Sequence, residues 1–151
     1  MKRSWIKRTG FKRKKGKTWR NKAWEWCSLY IRLKYADDNG MVRCVTCGKV
    51  GRWKGDYMQA GHLVGGRTNS ILVDTDLIRV QCPRCNGFLN GNYEAFERYM
   101  IEKEYFSPEQ LYKLKQRKHI ICRRTENDWH WIADDFKEKA KKLAQEKGID
   151  I

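Results

Sequence analysis

A chain of 151 residues with 33 Lys/Arg against 18 Asp/Glu carries a formal net charge of +15. That excess points to a polyanionic partner, because each phosphate contacted by a cationic side chain releases condensed counterions. Nucleic acid is the first expectation and an anionic membrane surface the second. No apolar run approaches the roughly 20 residues of a spanning helix, and the N-terminus lacks the apolar stretch of a secretory signal, so the expected location is the cytoplasm. Hydrophobic residues make up 40% of the chain, enough for one domain with a modest core that a metal clamp would support. Six cysteines in such a chain suggest metal binding rather than disulfides.

Residues 1–20 hold ten Lys/Arg and no acid, two thirds of the net charge. Like-charge repulsion, Gly10 and Gly16 predict a flexible basic arm over 1–17, followed by a single domain over 18–151. Lys12, Arg13, Lys14, Lys15 and Lys17 are its expected phosphate contacts, joined by Arg20, Arg67, Lys115, Lys118, Arg123 and Arg124 on the domain. Trp5, Phe11 and Trp19 stand among these charges, placed to pack on the domain or to stack on unpaired bases.

Thr18 is suited to cap a helix running to about Tyr35. Ala23, Trp26, Cys27, Tyr30, Ile31 and Leu33 recur near helical spacing as its core face. Asp37-Asp38-Asn39-Gly40 ends it, and Met41-Val42-Arg43 leads as a short strand into the first cysteine pair. A strand from Met58 to Val64 holds His62. Ile71-Leu72-Val73 forms a further expected strand, and Leu77-Ile78-Arg79-Val80 approaches the second pair. Helices are expected from Asn92, from Ser107 to about Lys118 with Pro108 at its first position, and from about Asp128 to Lys147. The last has Trp131, Ile132, Phe136, Ala140, Leu143 and Ala144 on its apolar side and Gly148 as cap. The fold class is α+β. Cys27 and Cys122 are expected as buried thiols.

Two CxxC pairs, Cys44/Cys47 and Cys82/Cys85, lie 34 residues apart. That pattern matches tetrahedral zinc held by four thiolates, which closes the shell against water and makes the metal structural. Between the pairs stands His62, and directly after the second stands Asn86. A histidine near cysteines can be a base, a zinc ligand in place of one thiol, or a structural donor. An asparagine after CxxC can hold a cation or simply cap a helix.

Trp26-Cys27-Ser28-Leu29-Tyr30-Ile31-Arg32-Leu33, Cys44-Val45-Thr46-Cys47-Gly48, Ala60-Gly61-His62, Gln81-Cys82-Pro83-Arg84-Cys85-Asn86 and Gly91-Asn92 together resemble the lambda NinG (Rap) family of phage recombination nucleases. More broadly they resemble the zinc-containing HNH, or ββα-metal, endonucleases. The resemblance spans roughly Trp24 to Leu114. It implies a small zinc-stapled, treble-clef-like ββα-metal core flanked by helices, and a metal-dependent endonuclease acting on branched DNA such as Holliday junctions, D-loops or flaps. His62 would be the general base and Asn86 a ligand of catalytic Mg²⁺ or Mn²⁺. Ala60 stands where many relatives carry Asp, and Leu77 where HNH proteins carry Asn. Asp74, Asp76 and Asn92 are therefore further candidate ligands. A homodimer would suit paired incisions, and a phage gene would place the protein in a bacterial host's cytoplasm. The competing expectation is a noncatalytic zinc module that binds DNA or RNA through the arm and the basic segment 113–124.

Overall fold

The computed structural model describes residues 17–151. Lys12, Arg13, Lys14 and Lys15 lie outside the described residues. Helix α1 (Trp19–Lys34) starts where the Thr18 side chain accepts from the Asn21 amide, and it ends with Arg32 and Lys34 in its last turn, where cations complement the carbonyl end of the dipole. It buries Ala23, Cys27 and Ile31, at spacing of four, together with Leu33. Burial of each large aliphatic side chain contributes roughly 1.5–3 kcal/mol.

Its main partner is the long helix α4 (Glu126–Lys147). Here Thr125 and Asp128 form a reciprocal capping box, and Gly148 closes the end at φ 65°. The buried stripe of α4 is Trp129, Ala133, Phe136, Ala140 and Ala144. Trp131, expected on that stripe, is 70% exposed. Five residues separate it from Phe136, which puts it about 140° around the helix, whereas the seven from Trp129 nearly close two turns.

Four short strands lie between these helices. β1 (Met41–Arg43) and β2 (Val50–Arg52) form one antiparallel pair, and β3 (Gln59–His62) and β4 (Ile78–Gln81) form another. In the second pair Gln59 faces Gln81, Ala60 faces Val80, Gly61 faces Arg79 and His62 faces Ile78. The Val45 amide donates to the Val80 carbonyl at 3.0 Å, tying the first cysteine turn to β4. Ile71-Leu72-Val73, expected as a strand, is instead a run of turns, with the Leu72 amide bonded back to the Thr68 carbonyl. This places Leu72 fully inside the protein beside Ala23, Trp129 and Ala133.

After β4 comes a five-residue π-helical turn, Arg84–Phe88. The longer helix α2 (Tyr93–Glu104) begins only after Asn90, Gly91 and Asn92, all at positive φ. Helix α3 (Pro108–Gln116) opens on the Ser107/Gln110 capping box and passes into a 3₁₀ turn at Arg117–His119, two residues earlier than expected. Phe96 and Met100 of α2 pack with Leu111 and Leu114 of α3 on Leu63, Ile71 and Leu77. Arg79 of β4 is locked to this layer by a bidentate pair with Glu104 at 2.8 and 2.5 Å. The result is an α+β arrangement of helices around two small sheets. Among the described residues no helix is long and apolar enough to cross a membrane.

Candidate functional site

The four cysteines meet where β1, β4 and the π-helical turn come together. Cys44 follows β1, and Gly48, at φ 79°, turns its amide back onto the Cys44 carbonyl at 2.9 Å. Cys82 follows β4, and its carbonyl accepts from Asn86 N at 3.0 Å. Cys85 lies inside the turn, its carbonyl accepting from Gly91 N at 2.9 Å. All four sulfurs lie within 4.8 Å of one another, with Cys47 Sγ and Cys82 Sγ 3.6 Å apart. A tetrahedron with zinc–sulfur bonds of about 2.3 Å has edges of about 3.8 Å, so the cluster could hold a structural metal such as zinc. Burial pushes the Cys44 thiol up, but hydrogen bonds from the Thr46 hydroxyl and nearby amides outweigh it and bring it down to about 6. Asn92 Nδ2 donates to Cys85 Sγ at 3.6 Å, so this side chain serves the cysteine cluster.

His62 ends β3 and is 9% exposed. Its Nε2 lies 3.0 Å from the Leu72 carbonyl. A carbonyl only accepts, so Nε2 carries the hydrogen and Nδ1 keeps a free lone pair. The ring stacks on Trp24 of α1, centroids 4.8 Å apart at 25°, and Arg67 lies over the same indole at 4.9 Å. Burial lowers the His62 pKa from 6.5 and the Arg67 charge adds to the lowering, while the Leu72 and Ile71 carbonyls and the Asp74 carboxylate oppose it. The histidine is thus a neutral imidazole at neutral pH, held in one tautomer and one orientation.

Asn86 sits in the π-helical turn one residue after Cys85, and its Nδ2 donates to Gln59 Oε1 at 2.8 Å. His62 and Asn86 line one cleft of about 480 Å³, together with Gln59, Ala60, Tyr57 and Met58 from the strand side, Trp24, Ser28 and Arg32 from α1, and Arg67. Arg32 donates to the Trp53 carbonyl at 2.9 Å and to the Ser28 carbonyl at 3.3 Å. Those bonds aim the guanidinium without neutralising it. Among the described residues no carboxylate lines the cleft. The arrangement combines a neutral base, an amide oxygen and two cations, a set suited to a phosphodiester.

Asp74 and Asp76 do not line this cleft. Both accept from Arg117, at 2.9 and 2.8 Å. Arg20 bonds Asn69 Oδ1 at 2.9 Å and the Arg67 carbonyl at 2.6 Å, thereby bracing the loop that carries Arg67. Arg124 donates to the Asn69 carbonyl and lies over Trp129. Lys115 pairs with Glu97 and Lys17 with Glu25 at 2.6 Å. Arg123 is exposed, and Lys118 is half-buried with its carbonyl accepting from the Thr68 hydroxyl. Of the two further cysteines, both expected to be buried, Cys27 is buried, whereas Cys122 is only half-buried.

Sequence reasoning missed Gln59 and the wall contributed by α1. A signal for the wall exists, since Trp24, Ser28 and Arg32 stand at i, i+4 and i+8, a single stripe beside the core face. Gln59 has no local signature; its role depends on Asn86 folding back against β3.

The whole course of the chain from residue 1 to residue 146 matches the family model described as Bacteriophage Lambda NinG protein. The chain belongs to the NinG family. The matched span includes all four cluster cysteines, His62, Asn86 and the α1 stripe, so the cleft is built wholly from NinG-family sequence. Comparison with curated proteins finds no match, and comparison with solved structures finds none.

Proposed function

We propose that this NinG-family chain is an HNH-type, ββα-metal endonuclease that cuts DNA, with branched recombination intermediates as its substrates. The observation that carries the reading is the meeting of His62 and Asn86 in one cleft, on two antiparallel strands and a helical turn anchored at the cysteine cluster. A base for hydrolysis needs a free lone pair, a pKa near or below working pH and a fixed orientation. His62 has all three: Nδ1 is free because Nε2 is spent on Leu72, burial keeps the ring neutral, and Trp24 holds its plane. It would take the proton from an attacking water, while Arg32 and Arg67 attract the phosphate and offset its growing charge. The four cysteines, loaded with zinc, would fix the end of β4 relative to the turn and so set the spacing between His62 and Asn86.

The donors of the cleft also bear on a divalent ion. Asn86 brings a hard neutral amide oxygen, and Ser28 and Gln59 line the same cleft, a donor type that fits Mg²⁺ or Mn²⁺ provided water and phosphate oxygens complete the shell. Such an ion would neutralise charge on the phosphate and on the leaving 3′-oxygen. A preference for branched DNA rests on family membership. Tyr57, exposed at the rim of the cleft, offers a face for an unpaired base.

The second reading, a noncatalytic zinc module that binds nucleic acid, draws on the absence of any carboxylate from the cleft. One experiment separates the two. Purified protein is incubated with labelled four-way junction, flap and duplex DNA, with Mg²⁺ or with EDTA. The nuclease reading expects Mg²⁺-dependent cleavage, with the branched substrates cut faster. Tight binding with no cleavage of any substrate would leave the binding module.

A further inference from the structure

The cleft holds a base and two cations but no acid. We infer, resting on the nuclease reading, that it takes up its divalent ion only together with a DNA phosphate, so that metal and substrate bind as one cooperative unit. Sites that hold Mg²⁺ before substrate arrives do so with carboxylates, which provide the charge that offsets the loss of water from a strongly hydrated ion. Among the described residues none lines this cleft, and Asp74, whose charge reaches His62, is held by Arg117. The side-chain oxygens of the described lining residues are the Asn86 amide oxygen, a Gln59 oxygen already accepting from Asn86, and the Ser28 and Tyr57 hydroxyls.

Of the acids close to the lining in sequence, Glu25 pairs with Lys17, Asp56 with Arg52, and Asp74 and Asp76 are both engaged by Arg117. Residues 1–16 contain no Asp or Glu and cannot supply one. Arg32 and Arg67, both unpaired with acid in the cleft, repel a bare cation further. A phosphodiester reverses each of these terms. It neutralises the two arginines, brings anionic oxygens, and turns the Asn86 oxygen from a lone weak donor into one member of a shell. By linkage, the factor by which DNA tightens the metal must equal the factor by which the metal tightens DNA. We expect at least tenfold.

The test uses Mn²⁺ and the paramagnetic broadening of the Gln59 and Asn86 side-chain amide signals in ¹⁵N-labelled, zinc-loaded full-length protein carrying His62→Ala, which keeps bound DNA intact. Free protein should show no broadening at micromolar Mn²⁺, and the same protein with a four-way junction should show it. Asn86→Asp, which adds the missing carboxylate, should broaden the Gln59 signal without DNA, with melting checked to confirm the fold. Broadening of the Asn86 form at equal Mn²⁺ with or without DNA would overturn the inference, as would no broadening in either case. Cleavage by the unsubstituted protein stands apart: cleavage with Mn²⁺ bound in the absence of DNA overturns the inference and keeps the nuclease, whereas DNA-conditional broadening without cleavage supports the inference and overturns the nuclease.

Discussion

Gly61 separates Ala60 from His62 in β3, and adding one methyl group there should be felt through the whole site. A Cβ at this position would lie 1.9 Å from Gln81 Oε1, 2.8 Å from Gln81 Cδ and 3.0 Å from Asn86 Oδ1. Oε1 is the far end of a flexible side chain and in open surroundings would swing aside cheaply. Gln81, however, is 0% exposed, and its Nε2 donates to the Gly91 carbonyl at 2.8 Å. Among the described residues its Oε1 has no hydrogen-bond partner, so the amide is fixed through Nε2 alone. To admit the methyl group the amide must move by more than an ångström and give up the Gly91 bond. Losing a buried hydrogen bond costs about 1–3 kcal/mol, and overpacking adds about 1–3 kcal/mol. Gly61→Ala should therefore destabilise by about 2–6 kcal/mol, a large share of the ~5–15 kcal/mol of a typical domain. Guanidinium unfolding at fixed zinc, followed by tryptophan fluorescence, measures it. In the Gly61→Ala/Gln81→Ala protein the clash is gone, so the two costs should fall short of additive by at least ~1 kcal/mol. A single-site cost below about 0.5 kcal/mol, or strict additivity with Gln81→Ala, would refute the account of this contact.

Cys85→Ser should abolish tight zinc binding and lower the melting temperature, as should chelation of the parent; a variant that melts with the parent would show that the cluster does not staple the fold. Glu104→Ala leaves Arg79 buried without its partner, and should cost about 2–3 kcal/mol, less than the roughly 3–5 kcal/mol of a wholly buried pair because Glu104 keeps part of its surface in water; a cost near zero would mean the pair is unimportant. His62 titrates below 6.5 in the fold, so the unfolded chain takes up its proton first and stability should fall as pH drops below about 6.5. The acid limb of the cleavage profile should likewise lie below that value, and a limb at or above it would show that the base is not this buried imidazole.

The cysteine cluster was legible from spacing alone because a CxxC turn is a local structure: two thiols three residues apart turn to one side whatever the rest of the chain does. The helix starts at Thr18 and Ser107 were legible for the same reason, since their caps are made within three residues. The Thr125 and Asp128 box is equally local, but which tryptophan of α4 faces the core is not a matter of the cap. It depends on phase against Phe136, seven residues from Trp129 and five from Trp131. His62 stood out by position and resemblance, but its tautomer depends on the Leu72 carbonyl ten residues away, and its orientation on Trp24 from another element. The π-helical turn holding Asn86 has no sequence signature; it is set by where Cys85 and Asn92 must sit around the cluster. The fates of Asp74 and Asp76 were decided by Arg117, more than 40 residues on.

The central claim is that His62 is the base of a DNA-cutting site, and single-turnover cleavage by His62→Ala tests it most directly. With zinc content and junction affinity shown to equal the parent's, Mg²⁺-dependent cleavage should fall by at least about 10²-fold. Cleavage at the parent's rate by the fully folded, DNA-binding variant would contradict it.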